Sequence, residues 1–279
     1  MDRRYEEVGY EVADGVAVVT LDAPHRRNGM RVQMLVDVLH SLDRADRDPE
    51  VRAVIVTGAG ESFSVGADLD GPETLSRALV EDIDGHTPTG YREPAGRISE
   101  RLFAMCKPVI AALNGHAIGG GATIAAAMDI RVASENARFG FVFTQRGVVP
   151  EGASSWFLPR LVGLGRATDW LLTGRVFDAA EAYEAGYLTK VVPADQVMSA
   201  AREYARIFVE DTSPTSVALS RRLLANAWLH THPGPAAAEE SRTYAGRVDS
   251  DDAREGVMSF LERRSAVFPP LDPPPAQRF

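Results

Sequence analysis

The stretch that decides the fold of this chain is NGHAIGGG, residues 114–121, in which three glycines follow a short apolar segment. Glycine lets the backbone approach a ligand closely and adopt positive φ, and a helix that begins at Gly120 or Gly121 adds the positive end of its dipole. A second glycine turn, FSVGAD, occupies residues 63–68. A triple glycine alone is also typical of a tight turn or of close helix packing. Two such turns together favour a site for a negatively charged oxygen between backbone N–H groups.

Repeated strand and helix patterns surround the two turns. Val16–Leu21 and Arg52–Thr57 are β-branched runs bounded by turn residues, which predicts buried strands, and Val32–Asp46 between them has the spacing of an amphipathic helix. The pattern recurs with a helix over 98–106, a strand over 108–113, a helix over 120–128 and a strand from 129 to 133. Repeated βα units predict an α/β fold with its core in residues 1–194.

The strand signal stops after about Val192. Helices are predicted over residues 195–208, 214–228, 235–247 and 251–266, so we expect a helical C-terminal domain over residues 195–268. Five prolines between Phe268 and Phe279 predict an extended or disordered tail over residues 269–279. The polar segment 71–96 predicts a long insertion with a helix around Glu73–Val80, and either a lid over the site or a disordered surface loop fits this composition.

The composition excludes several classes of protein. With 279 residues, 45% hydrophobic and 25% charged, the chain is typical of a globular protein with one large core and an appended subdomain. The net charge of -9, with basic residues scattered among acidic ones, argues against a nucleic-acid surface. Cys106 is the only cysteine, so no intrachain disulfide is possible. No run approaches the roughly 18 apolar residues of a membrane span, and a secretory signal is not evident, so we expect a cytoplasmic protein without a membrane partner.

The two turns belong to a longer pattern that resembles the crotonase superfamily, also called the enoyl-CoA hydratase/isomerase family. The pattern spans about residues 8 to 268 and is carried by LDAP (21–24), RRN (26–28), TG (57–58), FSVGADL (63–69), KPVIA (107–111), NGHAIGGG (114–121), FG (139–140), LTG (172–174), AGYL (185–188) and FLERR (260–264). The resemblance implies a spiral of repeated ββα units, a helical C-terminal region that packs trimers together, and an acyl-CoA thioester as substrate. A homotrimer or a dimer of trimers is therefore expected, with no metal and no cofactor beyond the coenzyme A of the substrate.

The resemblance also assigns residues to the site. It implies that the N–H groups of Ala67 and Gly120 are the two donors to the thioester oxygen. It implies that Arg26 or Arg27 meets a phosphate of coenzyme A, although such arginines are also typical of a solvated surface. Asp68 is equally suited to capping or bracing its own loop. The expected CoA-binding residues are Arg26, Arg27, Ala67, Asp68, Phe260 and Arg264.

The sequence departs from the family pattern at the positions of two catalytic carboxylates. Hydratases of the family use two glutamates, and the corresponding positions here are Thr123 and Phe143. Neither side chain can act as a carboxylate acid or base, so water addition by the paired-glutamate mechanism is not expected. We expect Thr123, Phe143 and Trp156 to line the acyl pocket instead.

A different carboxylate is available in the segment VPEG, residues 149–152, which resembles the Pro-Glu-Gly segment of Δ3,Δ2-enoyl-CoA isomerases. The resemblance implies that Glu151 is the catalytic base. An apolar wall of Phe143, Trp156 and Phe157 would raise its pKa toward useful basicity. The alternative role for Glu151 is an acid at a helix N-terminus, stabilised by the helix dipole.

These observations lead to one hypothesis and several alternatives. The hypothesis is a Δ3,Δ2-enoyl-CoA isomerase-like enzyme of fatty-acid metabolism, because a single carboxylate can move a proton from C2 to C4 of the substrate while the two N–H groups hold the enolate oxygen. Other enolate reactions on a CoA ester remain open, namely hydration by a different residue set, decarboxylation or C–C hydrolysis. A non-catalytic acyl-CoA binder is the alternative outside enzymes.

Overall fold

The computed structural model of the protein describes residues 5–70, 86–87 and 90–271. Its strands are β1 (Val8–Ala13), β2 (Val16–Leu21), β3 (Ala53–Gly58), β4 (Ser62–Ser64), β5 (His86–Thr87), β6 (Gly90–Tyr91), β7 (Val109–Leu113), β8 (His116–Ile118), β9 (Ile130–Ser134), β10 (Arg138–Gly140), β11 (Val176–Asp178) and β12 (Lys190–Val192). Its helices are α1 (Val32–Arg47), α2 (Pro94–Ala104), α3 (Gly120–Ala126), α4 (Ser154–Thr173), α5 (Ala179–Glu184), α6 (Val197–Arg206), α7 (Pro214–Ala227), α8 (Pro233–Ala245) and α9 (Asp251–Glu262).

The larger sheet carries the core. Within the described residues it has six strands in the order β1-β2-β3-β7-β9-β12, and all neighbours pair in parallel except β1 with β2. Successive residues of a strand point to opposite faces, so Val54 and Val56 of β3 enter one apolar cluster with α1 and α2, whereas Ala53 and Ile55 enter a second cluster with α6. A parallel sheet covered on both faces explains why these strands are continuous apolar runs. The predicted α/β class is confirmed.

A smaller sheet stands beside the core and positions the two glycine turns. Its order is β11-β10-β8-β4, with β8 parallel to both β4 and β10. The first turn follows β4, and the second joins β8 to α3. Because β4 and β8 are hydrogen-bonded neighbours, the two turns leave the sheet side by side.

The helices after the sheet differ in how they pack. The predicted helical C-terminal region is present, and α6 at its start lies on the larger sheet, because Val197, Ala200 and Ala201 are buried against it. A π-helical turn over Ile207–Asp211 follows, and α7 to α9 come after it. Arg221 of α7 joins this region to the core.

Arg221 makes the contact by donating to several acceptors at once. Its Nε lies 2.9 Å from Asp129 Oδ2, and its two other nitrogens donate to the backbone carbonyls of Leu102, Phe103 and Met105. These carbonyls belong to the last turn of α2 and the residue after it, where the regular helical N–H partners end, although Leu102 O also accepts the Met105 N–H at 3.4 Å. Arg221 of α7 therefore supplies hydrogen-bond donors to the carbonyls at the end of α2.

Several element ends differ from the predictions for local reasons. The helix predicted over 98–106 begins earlier, at Pro94, because proline fits the first turn of a helix. The helix predicted over 251–266 ends at Glu262, because Arg263 takes the left-handed conformation that closes helices. The helix predicted around Glu73–Val80 lies outside the described residues, as does the tail beyond residue 271.

Two further properties concern partners. Among residues 5–70, 86–87 and 90–271, no helix combines the length and apolar character that crossing a membrane requires. In the same ranges, no three His, Cys, Asp or Glu side chains come together in a group that could hold a metal ion.

Candidate active site

The two glycine turns are in close backbone contact. Gly66 has φ of +84°, and a Cβ on it would lie 2.8 Å from the Ile118 oxygen and 2.9 Å from the Gly120 nitrogen. A Cβ on Gly121 would lie 2.3 Å from the Ser64 oxygen. Real Cβ atoms do not approach backbone atoms so closely, so glycine is required at both positions. The sequence motif is therefore a packing requirement of these two turns.

Hydrogen bonding orients the two N–H groups that the resemblance singled out. Met30 N–H donates to the Gly66 oxygen at 2.7 Å, and Asp68 N–H donates to the Met30 oxygen at 3.1 Å. Ala67 lies between these two bonds, so its own N–H points away from Met30. Gly120 is the first residue of α3 and its N–H has no intrahelical acceptor. Within the part of the chain that the structure describes, neither N–H group donates to an acceptor.

Glu151 lies beside the second of these groups. It precedes α4, and its Oε1 would be 3.1 Å from a Cβ on Gly120. Burial, and then the negative charge of Glu93, raise the pKa of Glu151 from 4.5 to about 7. A carboxylate that titrates near neutral pH can both accept and return a proton, which is the property that a general base and acid needs.

The structure adds a second carboxylate that the sequence analysis missed. Glu93 stands directly before α2, and its Oε1 accepts the N–H of Gly152, the residue after Glu151. The sequence analysis had included Glu93 in the 71–96 insertion. No signal in the local sequence identifies Glu93, because it lies in a polar segment without periodicity and reaches Gly152 across 59 residues.

The residues predicted to line the acyl pocket lie in two different places. Thr123 is fully buried, and its Cγ2 would lie 2.1 Å from a Cβ on Gly152, so it borders the segment that carries Glu151. Phe143 is also buried, just before a short 3-10 turn. Trp156 instead packs edge-on against Phe157, with ring centroids 4.8 Å apart, and against Trp228 at 5.1 Å.

A cavity of about 230 Å³ lies on this aromatic side, at the end of α3 away from the glycine turn. Phe157, which we expected in the wall around Glu151, lines it. The other lining residues come from α2, the end of α3 and the segment after it, β9, α4, and α7 with the residue that follows it: Phe103, Ala126, Ala127, Met128, Asp129, Arg131, Leu161, Arg221, Leu224, Ala225 and Trp228. The cavity is therefore bounded by the core on one side and by α7 on the other.

The structure distinguishes the two arginines that we expected at the nucleotide. Arg26 is largely buried, its Nη2 lies 2.6 Å from a carboxylate oxygen of Glu7, and its Nε donates to the Gly29 oxygen at 2.8 Å. Arg27 is exposed and follows in the left-handed conformation. Arg26 is thus committed to holding its own turn, which leaves Arg27 as the exposed cation of the pair.

Asp68 braces the first glycine turn. Its Oδ2 accepts from Arg31 Nε at 2.6 Å, and its Oδ1 accepts the N–H of Asp70 at 3.1 Å. The Asp70 N–H and the Arg31 guanidinium hold the pKa of Asp68 below its usual value. The carboxylate is therefore occupied by its own loop, in agreement with the bracing role.

Phe260 lies on α9 and Arg264 follows that helix. Phe260 is 81% exposed on α9. Gly256 of the same helix faces the Phe268 ring. The Phe268 carbonyl accepts a hydrogen bond from the guanidinium of Arg52, just before β3. Arg27 comes after the other end of β2, which is the parallel neighbour of β3. The six residues of such a strand separate its two ends by about 20 Å. Arg264 pairs with two glutamates of its own segment, Glu255 and Glu262.

The two sheets, the paired glycine turns and the helix that begins at Gly120 form the fold of the crotonase superfamily. A solved structure of an enoyl-CoA hydratase from Bacillus anthracis matches it with a TM-score of 0.86 and 28% identity, over 95% of this chain and 99% of that chain. The family model for enoyl-CoA hydratase/isomerase matches residues 11–270. The chain therefore belongs to the enoyl-CoA hydratase/isomerase family, a family of acyl-CoA enzymes.

Curated relatives agree with this membership. Enoyl-CoA hydratase ACTT3 of Alternaria alternata is 36% identical over 257 residues, which cover 92% of this chain and 83% of the relative. The short-chain-enoyl-CoA hydratase of Clostridium acetobutylicum is 35% identical over 250 residues, which cover 89% of this chain and 92% of that protein. Both names specify hydratases, so the relatives support the family and do not support a preference for isomerisation.

Proposed function

We propose that this protein is a Δ3,Δ2-enoyl-CoA isomerase-like enzyme of fatty-acid metabolism with Glu151 as its base. The observation that carries the proposal is the position of Glu151: its carboxylate lies beside Gly120, and its pKa is raised to about 7. Thr123 and Phe143 supply no carboxylate at the positions that the hydratases use.

In the proposed reaction the thioester oxygen accepts the N–H groups of Ala67 and Gly120. Glu151 removes a proton from C2 of a 3-enoyl-CoA, and the electrons of that C–H bond form a dienolate whose charge rests on the thioester oxygen. The protonated Glu151 then gives the proton to C4, so the double bond moves from C3–C4 to C2–C3. Each backbone donor would contribute about 3 kcal/mol to the stabilisation of the enolate.

We further propose that Arg27 meets a phosphate of coenzyme A, because it is the exposed arginine of its turn. A homotrimer or a dimer of trimers in the cytoplasm is proposed from the family resemblance. The exposed apolar side chains of α9, Val257, Phe260 and Leu261, support an assembly in which a second copy covers that helix.

Hydration of a 2-enoyl-CoA is the second candidate, favoured by the hydratase names of the relatives. Water addition needs a group that activates the water and a group that protonates the substrate. Glu93 accepts the N–H of Gly152, the residue after Glu151, so hydration here would depend on this pair and not on carboxylates at positions 123 and 143.

The test is an NMR assay in heavy water with 3-enoyl-CoA and 2-enoyl-CoA of several chain lengths. Double-bond migration with deuterium exchange at C2 supports the isomerase, and its loss in Glu151→Gln assigns the base. Glu184→Gln, which removes an exposed glutamate on α5, is the matched control and should leave turnover unchanged. Formation of a 3-hydroxyacyl-CoA selects hydration instead. Tight acyl-CoA binding without either product would overturn both reactions and leave decarboxylation, C–C hydrolysis or a binding protein.

A further inference from the structure

The carboxylate of Glu93 lies at the start of α2 but does not cap that helix. Its backbone, with φ of -66° and ψ of 155°, is that of an N-cap residue, yet its side chain makes no capping hydrogen bond to α2. The carboxylate instead accepts the N–H of Gly152, 59 residues further along the chain. The contact therefore joins the start of α2 to the residue next to Glu151.

Two glycines leave room for this contact. A Cβ on Gly96 would lie 2.7 Å from Glu93 Oε1 and 2.8 Å from its Oε2, so the carboxylate occupies the space that a side chain would take. Gly152 has φ of +62°, and a Cβ there would lie 2.1 Å from Thr123 Cγ2. Both backbones are thus adapted to bring Glu93 against the segment that carries Glu151.

Glu93 is the charged group that acts on Glu151 from the neighbouring elements. The start of α2 brings Glu93, and α3 has no titratable side chain. The loop after β4 brings Asp68 and Asp70, of which Asp68 is paired with Arg31 at 2.6 Å. After burial, the charge of Glu93 is the second cause that raises the pKa of Glu151. A neighbouring negative charge disfavours the ionised carboxylate and makes it a stronger base.

We propose that Glu93 is a positioning residue for Glu151. Its hydrogen bond to Gly152 N–H holds the segment in which Glu151 lies, and its charge keeps Glu151 more basic than burial alone would make it. The proposal rests on the proposed role of Glu151 as the base, and it adds a second carboxylate to a site whose family positions carry Thr123 and Phe143.

The test separates the charge of Glu93 from its hydrogen bond. Glu93→Gln keeps an oxygen that can accept the Gly152 N–H but removes the charge, whereas Glu93→Ala removes both. Glu100→Gln, which removes an exposed carboxylate from the same helix, is the control. Two readouts are used: a titration of the Glu151 carboxyl by carbon-13 NMR, with its signal assigned through Glu151→Gln, and the pH dependence of kcat/KM on 3-enoyl-CoA.

The expected results differ between the variants. In Glu93→Gln the pKa of Glu151 falls by about one pH unit, and the acidic limb of kcat/KM moves to lower pH with it, while KM stays unchanged. In Glu93→Ala the pKa falls similarly and kcat also drops by about tenfold or more at every pH, because the segment is no longer held. Glu100→Gln leaves both readouts at their wild-type values.

Each part of the proposal can be overturned separately. An unchanged Glu151 titration in Glu93→Gln would reject the charge effect, and equal kcat in the Gln and Ala variants would reject the positioning effect. If Glu93→Ala does not fold, Glu93→Asp, which keeps the charge but shortens the reach, takes its place with kcat expected to fall and the pKa expected to stay high. The NMR titration needs no substrate, so a fall in the pKa without any turnover of enoyl-CoA would uphold the role of Glu93 and reject the isomerase.

Discussion

Replacing Glu151 with glutamine should make the protein more stable at neutral and alkaline pH while removing its activity. The folded protein raises the pKa of Glu151 from 4.5 to about 7. Between these values the folded chain keeps a proton that the unfolded chain has lost, so the stability contributed by this group falls as the pH rises through that window. Since each pH unit between the two pKa values is worth about 1.4 kcal/mol, the total cost of ionising Glu151 is about 3 kcal/mol.

Glutamine has nearly the same shape as protonated glutamate and does not titrate. The difference in unfolding free energy between Glu151→Gln and the wild type should therefore grow with pH and reach a plateau above about pH 7. Between pH 5.5 and pH 8 it should increase by about 2 kcal/mol, because the lower part of the titration is already complete at pH 5.5. Urea denaturation at a series of pH values and a fixed protein concentration measures this difference.

The control for a general loss of negative charge is Glu184→Gln, whose stability curve should run parallel to that of the wild type because the residue is exposed. Parallel curves for Glu151→Gln and the wild type would refute the reasoning, because they would mean that Glu151 ionises as readily in the folded as in the unfolded chain. A stabilised but inactive variant would show that the ionised Glu151 costs folding free energy and is needed for the chemistry.

Four other substitutions test the site and its support. Gly121→Ala should cost about 1 to 3 kcal/mol in urea denaturation, because the new Cβ would lie 2.3 Å from the Ser64 oxygen. In Gly120→Ala the nearest atom to the new Cβ is Glu151 Oε1 at 3.1 Å, so this substitution should instead lower kcat by about 100-fold with a smaller loss of stability. Thr123→Val should be neutral or stabilise by about 1 kcal/mol, since the buried Thr123 hydroxyl has no partner among the described residues, and a clear loss of stability would mean that the hydroxyl is hydrogen-bonded. Arg221→Met should destabilise by about 3 kcal/mol and speed proteolysis of α7 to α9, and an unchanged digestion pattern would count against its anchoring role.

The parts of the fold that the sequence predicts are those in which local pattern and burial agree. The strand Val16–Leu21 has its predicted bounds, because all its residues but Thr20 are buried between two helical layers. The edge strand Val8–Ala13 was not predicted, since only Val8 is buried and the alternation is weak. The three-residue strands β4 and β8 were interpreted as turns, because their hydrogen bonds join segments more than fifty residues apart.

The same contrast between local patterns and long-range contacts applies to the residues of the site. The donor roles of Gly120 and Ala67 are implied by the family resemblance of the two glycine turns, and the structure brings these turns together through the close contact of Gly66 with Gly120. Glu93 was missed because its contact with Gly152 spans 59 residues and begins in a polar segment without periodicity. No local pattern encodes such a contact.

The pairing of β4 with β8 separates two tasks within the site. The proposed donors are backbone N–H groups whose spacing is set by neighbouring strands, whereas the proposed proton-transfer group, Glu151, is a side chain on another segment. Substitutions at Thr123, Phe143 or Glu151 can therefore change which protons move without rebuilding the support for the enolate. A scaffold of this kind acquires new reactions by single side-chain replacements, and a short evolutionary distance can separate catalysts of different chemistry.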